Sequence, residues 1–493
     1  MADVHAHRIV TDGRTNELSA GYNMAERRRT GSTCRRAEIQ GSGVTTALAI
    51  NDPIALRQQL AELAERCVDK ARTMGASSAE AGASSSAGLS VTARMGEVET
   101  VEHIRDKGIG ITVYFGQRKG TASTSDFSDE ALSATVASAC AIARHTGADE
   151  FAGLADPDLM ATEFPDLDLY HPWDVEAAQA IELAVETEAH ALQHDPRVTN
   201  SDGATVGSHE TAHAYVNSHG FVGLRGSTRH SISCSVIAED ASGMQTDYWY
   251  DTARRHGDMA SGASIGQRAA ERTVARLNPR QLATGQHAVL YPPELASSLF
   301  AHFAGAIRGG SLYRKASFLL DQLGEPVFAN HVRVHEQPHL QKGAGSAAFD
   351  SEGVATRPRD IVTDGVLQGY VLDSYSGRRL GMPTTGNAGG MHNLTVDGGE
   401  LDFDGLLAEL GTGVLLGDMM GMSVNLVNGD YSRGAGGFWV EDGEICYPIQ
   451  EFTVAGNLAE MFRHIIAIGN DTDTRGNLRC GSVLVAGMTV AGA

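Results

Sequence analysis

The chain has 493 residues, 42% of them hydrophobic, and a formal net charge of −22. So acidic a balance excludes nucleic-acid phosphate as a natural partner, because phosphate binding needs a basic surface. No apolar run nears the ~18 residues needed to span a bilayer, no charged-then-apolar signal opens the chain, and the six cysteines are scattered without a C-x-x-C pair, which points to a reduced cytoplasmic compartment.

Residues 1–50 carry Arg27-Arg28-Arg29 and Arg35-Arg36 among Ser, Thr and Gly, with little to bury, and read as a disordered extension. Asp3, Asp12, Glu17, Glu26 and Glu38 make the segment too acidic for a transit peptide. A first α/β domain is expected over 51–163. Asp52-Pro53 opens a helix with Leu56, Leu60, Leu63, Cys67 and Ala71 on one face, ending at Gly75. Strands are expected over 89–104 and 108–125, joined by Gly-containing turns, and Ser128-Asp129-Glu130 starts a second helix to Arg144.

A Pro- and Asp-rich stretch leads into a central domain over 164–280, with a helix capped by Asp174, strands at 230–240 and 246–256, and a helix near 263–277. This region holds a literal HExxH, His209-Glu210-Thr211-Ala212-His213, with His219 at a third-ligand spacing. Zinc chemistry at this spacing needs a helix, so that both His share one face. Gly203, Thr205, Val206 and Gly207 before it are poor helix formers, and Ala212, Ala214 and Val216 alternate towards a turn at Asn217–Gly220. On a strand His209 and His213 would sit about 13 Å apart at ~3.3 Å per residue, beyond the reach of one zinc with bonds of ~2 Å. A hairpin is expected here, and His209, His213 and His219 are candidate metal ligands only on the weaker reading.

The last region, 281–493, begins with the strand HAVLYP and a helix over 292–308. Leu295, Leu299, Phe303 and Ile307 recur every four residues, and His302 falls inside that apolar stripe. Beyond it lie mostly strand-like segments broken by Gly and Pro. His335-Glu336-Gln337-Pro338-His339 is a second literal match, but Pro338 forbids the helix, and His331, His335 and His339 read as partly exposed strand or loop residues. The glycine-rich run 429–445 lacks the Lys-Ser/Thr of a phosphate loop and reads as tight turns placing Phe438 and Trp439 in the core. No repeat of 20–50 residues is visible. The fold class is α+β, mixed and mainly antiparallel, with packed helices in several domains.

The segments HFAGAIRGGSLYRKASFLLDQLGE (302–325), FDSEGVATRPRDIVTDGVLQGYVLDSYSGRRLGMPTTGNA (349–388) and VNLVNGDYSRGAGGFWVEDGEICYPIQEFTVAGNLAEMF (424–462) resemble the TldD/PmbA peptidase family, as does DKGIGITVYFGQRKGTASTSDFS near the start. The resemblance covers nearly everything after residue 51. In the family's metal-bearing subunit, TldD, the helix carries His-Glu-x-x-x-His, whose His residues bind zinc and whose Glu is the general base. Here those positions read His302, Phe303 and Ile307, so the resemblance is to the TldE-type subunit that lacks the motif, with no catalytic or metal residue of its own. Cys446 and Cys480 match no third ligand and read as structural or incidental. The resemblance implies a heterodimer with a TldD-like subunit that holds the zinc, enclosing a cavity where unfolded or leader peptides are trimmed, the chain alone being inactive. It also implies peptide held as an added strand on a sheet edge, with His302 a relic on its helix. Two alternatives stand beside it: a self-sufficient metallopeptidase using His209, His213 and His219, and a non-enzymatic peptide-binding protein.

Overall fold

The computed structural model describes residues 53–492, so the expected disordered extension over 1–50 lies outside the described residues. The first part runs α1 (Pro53–Thr73), β1 (Ser78–Arg94), β2 (Glu97–Phe115), β3 (Arg118–Thr124) and α2 (Asp129–His145). The next runs α3 (Ala177–His194), β4 (Val198–Asn217), β5 (Val222–Asp240), β6 (Gly243–Ala253) and α4 (Gly262–Ala275). The element order helix, three strands, helix is therefore laid down twice. The six strands form one antiparallel sheet in the order β3-β2-β1-β4-β5-β6, so the two halves meet along β1 and β4. This is a repeat longer than any sought in the sequence.

One face of the sheet is apolar. Ala79, Ala81 and Ala83 of β1 and Ala212, Ala214 and Val216 of β4 pack under α1 and α2, which bring Leu60, Ala64, Cys67, Leu132, Val136 and Cys140. Further along, Leu89 and Val91 of β1, Val206 of β4 and Val236 of β5 pack under α3 and α4. Ser128 caps α2 by accepting from Ala131 N at 3.3 Å, and α2 rides so close to β3 that a Cβ on Gly120 would lie 2.2 Å from Ala139 O. The expected strand over 89–104 is instead the tip of a hairpin. Met95 and Gly96 both have positive φ, 51° and 77°, as the tight turn with right-handed strand twist demands. The buried carboxylate of Glu188 on α3 holds that turn, accepting from Met95 N and Gly96 N at 2.8 Å each. Asp174 does not cap α3, which starts three residues later, where Glu176 N donates to Gln179 Oε1.

The last part comprises β7 (Gly285–Tyr291), α5 (Pro293–Ala306), α6 (Gly309–Tyr313), β8 (Val334–Glu336), β9 (Arg359–Thr363), β10 (Val366–Leu367), α7 (Ser374–Leu380), β11 (Leu394–Val396), α8 (Phe403–Leu410), β12 (Gly413–Val424), β13 (Asp430–Glu441), β14 (Glu444–Asn457), α9 (Leu458–Arg463), β15 (Ile465–Ile468), β16 (Leu478–Arg479) and β17 (Val483–Ala491). One sheet has the order β14-β13-β12-β7-β17-β15, and an added β14–β17 pairing curls it towards a barrel. The other has the order β10-β9-β8-β11-β16. Helix α5 is wedged into the core shared by both sheets, its Leu299, Phe300 and Phe303 and the following Ile307 in one cluster with Val334, Ile361 and Val396 of one sheet and Val289, Val414 and Val485 of the other. The mixed, mainly antiparallel α+β class is the one expected.

Candidate functional site

Phe303 is fully buried, its ring edge-on to Phe328 at 4.9 Å and to Phe462 at 6.1 Å. Ile307, at the C-cap of α5, is equally buried. His302 points the other way. Its ring meets Tyr431 edge-on at 6.0 Å, Nε2 is buried without a partner, and burial, with help from Arg433, pushes its pKa down. One imidazole beside an aromatic ring and a guanidinium cannot make the three- or four-ligand set zinc needs, so these residues do not fit a metal. Among the described residues no group of three or more His, Cys, Asp or Glu side chains is placed to hold one. Cys480 is fully buried, its thiol pushed up by burial, while Cys446 is exposed.

The first literal zinc motif is extended throughout, and the second is extended at His335 and Glu336 and turns at Pro338 and His339. His209 and His213 lie on β4 opposite Gly88 and Ser84 of β1, and His219 is exposed in the turn into β5, the hairpin that the alternation of Ala212, Ala214 and Val216 indicates. His335 and Glu336 sit on β8. His335, expected partly exposed, is buried at 9% exposure with Nδ1 3.2 Å from Asp397, and Glu336 ion-pairs Arg359 at 2.9 Å and accepts from Asn387 and the His392 amide. Packing against β9 and β11 on both sides covers this strand where its sequence suggested a rim.

A developed polar site lies where sequence reasoning had singled out only His213, and that as a weak metal candidate. On the face of the six-stranded sheet away from its helices, a cavity of about 570 Å³ opens between β1, β2, β4 and β5 and the 349–352 loop. Glu80 of β1 lies on its wall. One carboxylate oxygen accepts from Tyr114 Oη at 3.0 Å and the other from Tyr215 Oη at 2.7 Å. Burial first, then the Glu80 charge, raises both phenol pKa values. Glu352 faces in from the loop, Oε2 accepting from Ser374 N at 3.0 Å, and burial pushes its carboxyl up to about 7, with Asp350 and Asp373 adding to the rise. Asp350 itself accepts three backbone amides, from Ala388, Glu352 and Val354.

The same wall carries His213, whose Nδ1 is buried without a partner and whose pKa falls to about 4 through burial and then through Arg225. Arg225 stacks 4.0 Å above the Phe349 ring and donates to the Phe349 and Asp350 carbonyls, and burial brings it down to about 10. Phe349, Phe221 and Tyr215 close a small apolar cluster beneath. The signal for this site was present but faint: one acid, Glu80, in an otherwise Ala/Gly/Ser run, with no strand propensity to place it.

The doubled helix–sheet layer and the two-sheet unit around a wedged helix coincide with the domains of a metallopeptidase family. Family profiles described as PmbA/TldA metallopeptidase domain 1, central domain and C-terminal domain match residues 79–143, 170–277 and 284–492. The chain belongs to the PmbA/TldE family. Metalloprotease PmbA of Escherichia coli O157:H7 is 49% identical over 414 residues, 84% of this chain and 92% of its own. A Bacteroides thetaiotaomicron structure described as a modulator of DNA gyrase superposes with a TM-score of 0.83 at 29% identity, covering 88% of this chain and 98% of its own. TldE from Thermococcus kodakarensis shares the fold, with a TM-score of 0.73 at 18% identity over 87% of this chain and 99% of its own.

Proposed function

We propose that this chain is the non-metal subunit of a two-subunit cytoplasmic peptidase that degrades or trims unfolded or leader peptides, the catalytic zinc sitting on a TldD-like partner. The observation that carries the reading is the burial of Phe303 and Ile307 in the aromatic core of α5, which leaves His302 without a second ligand or a base beside it. Family membership supports peptide chemistry, since relatives such as the Escherichia coli protein are named metalloproteases. The alternative of a self-sufficient enzyme is disfavoured by the extended backbone at His209 and His213 and the exposed turn at His219.

Reconstitution tests the reading. This chain and a TldD-like subunit should each leave an unfolded peptide largely intact, and the mixture should cleave it in a chelator-sensitive way. Cleavage by this chain alone would overturn the division of labour. Peptide capture without cleavage in the mixture would leave a binding protein.

A further inference from the structure

The cavity between Glu80 and Glu352 has no counter-cation of its own. Among the described residues, neither carboxylate forms an ion pair within 4.0 Å. The one cation on the wall, Arg225, is turned to the Phe349 and Asp350 carbonyls and the Phe349 ring. The wall is therefore a set of acceptors. Glu80 is fixed by two hydroxyls that each keep a lone pair, and Glu352 faces in from the loop. A primary ammonium, with three donors on one charged atom, is the complementary group.

The cavity is also open on one side. It shares Gly82 and Gly110 with a second hollow of about 590 Å³, whose remaining lining includes Ser84, Gly108 and Ser123. Glycines and short hydroxyls along this floor leave room for a backbone and offer hydrogen bonds without selecting side chains.

We propose that this face binds the free N-terminus of an extended peptide, the α-ammonium seated between Glu80 and Glu352 and the chain running out over Gly82 and Gly110 towards Ser123. The inference rests on the peptide reading above and names the end of the peptide that this chain holds. A cationic side chain carries the same chemistry, so the test separates the two sources.

The probe is an alanine–serine octapeptide with a C-terminal fluorophore, in three forms: free N-terminus, acetylated, and acetylated with one internal lysine. Binding to the full chain is read by fluorescence anisotropy near neutral pH. The free form should bind at least about tenfold more tightly than the acetylated form, and the lysine form should not recover the difference. Glu80→Gln and Glu352→Gln, on opposite walls, should each shrink the preference to about threefold or less. Equal binding of free and acetylated peptides, recovery by lysine, or no saturable binding of the free peptide would each overturn the assignment. If the reconstituted pair cleaves acetylated and free peptides equally well, the peptidase reading stands and the amine site falls. If the pair cleaves neither while the free-end preference persists, the reverse holds.

Discussion

Glu352→Gln should stabilise the chain above neutral pH and leave it unchanged in mild acid. Burial, with Asp350 and Asp373 nearby, raises this carboxyl from 4.5 to about 7. The folded pKa thus lies above the unfolded one, so protonation favours the folded state. The stabilisation is complete below the unfolded pKa and is lost as pH rises through about 7. At ~1.36 kcal/mol per unit the full linkage is ~3 kcal/mol. The side chain is only part-buried, and solvent screening brings this to ~1–2 kcal/mol. Glutamine removes the charge and keeps an acceptor for Ser374 N, so the variant should recover that amount. Thermal unfolding of both proteins at about pH 8 and about pH 5 reads the effect, expected as a gain of ~1–2 °C at the higher pH only. An equal gain at both, or a loss at the higher pH, would show that the Glu352 charge is not the strained element.

Restoring the metal motif should fail. Phe303→Glu with Ile307→His removes ring packing worth ~3–5 kcal/mol and buries a carboxylate among Phe328 and Phe462, so elemental analysis should find no stoichiometric zinc and the soluble yield should collapse. Glu188→Ala strands the Met95 and Gly96 amides at a cost of ~2–4 kcal/mol, read as faster hydrogen exchange at those two amides and a lower melting temperature. In the reconstituted pair His302→Ala should keep most of the activity, while Glu→Gln in the partner's motif should abolish it. Loss of activity in His302→Ala with assembly intact would assign this subunit chemistry.

What the amino acids announced and what they concealed follow from how each element is held. Helices α1, α2, α4 and α5 were legible because their apolar residues recur at helical spacing and their ends carry Ser128, Pro53 or Pro292. The β4 hairpin was legible from three alternating residues. Strand β1 was not, because Ser78–Gly88 is Ala, Ser and Gly apart from Glu80, with weak strand preference, and only pairing to β2 and β4 on both sides makes it extended. The turn at Met95-Gly96 escaped notice because it lacks Asn or Asp and leans on Glu188, almost a hundred residues away. The Glu80–Glu352 cavity escaped for the same reason: its walls come from segments far apart in the chain and meet only when the 349–352 loop lies on the sheet.

The doubled sheet also sets the order in which the chain acquires its neighbours during synthesis. β1 ends at Arg94 and its central partner β4 begins at Val198. At ~5–20 residues per second, β1 waits several seconds on the ribosome with β2 on one side and nothing on the other. A strand in that position is an open template for neighbouring nascent chains, and a hydrophobic, β-branched one would seed aggregation. The Ala-Glu-Ala-Gly-Ala-Ser-Ser-Ser-Ala run of β1 is a poor seed. The weak propensity that hides this strand from a reader of the sequence hides it equally from other unfinished chains, until β4 arrives.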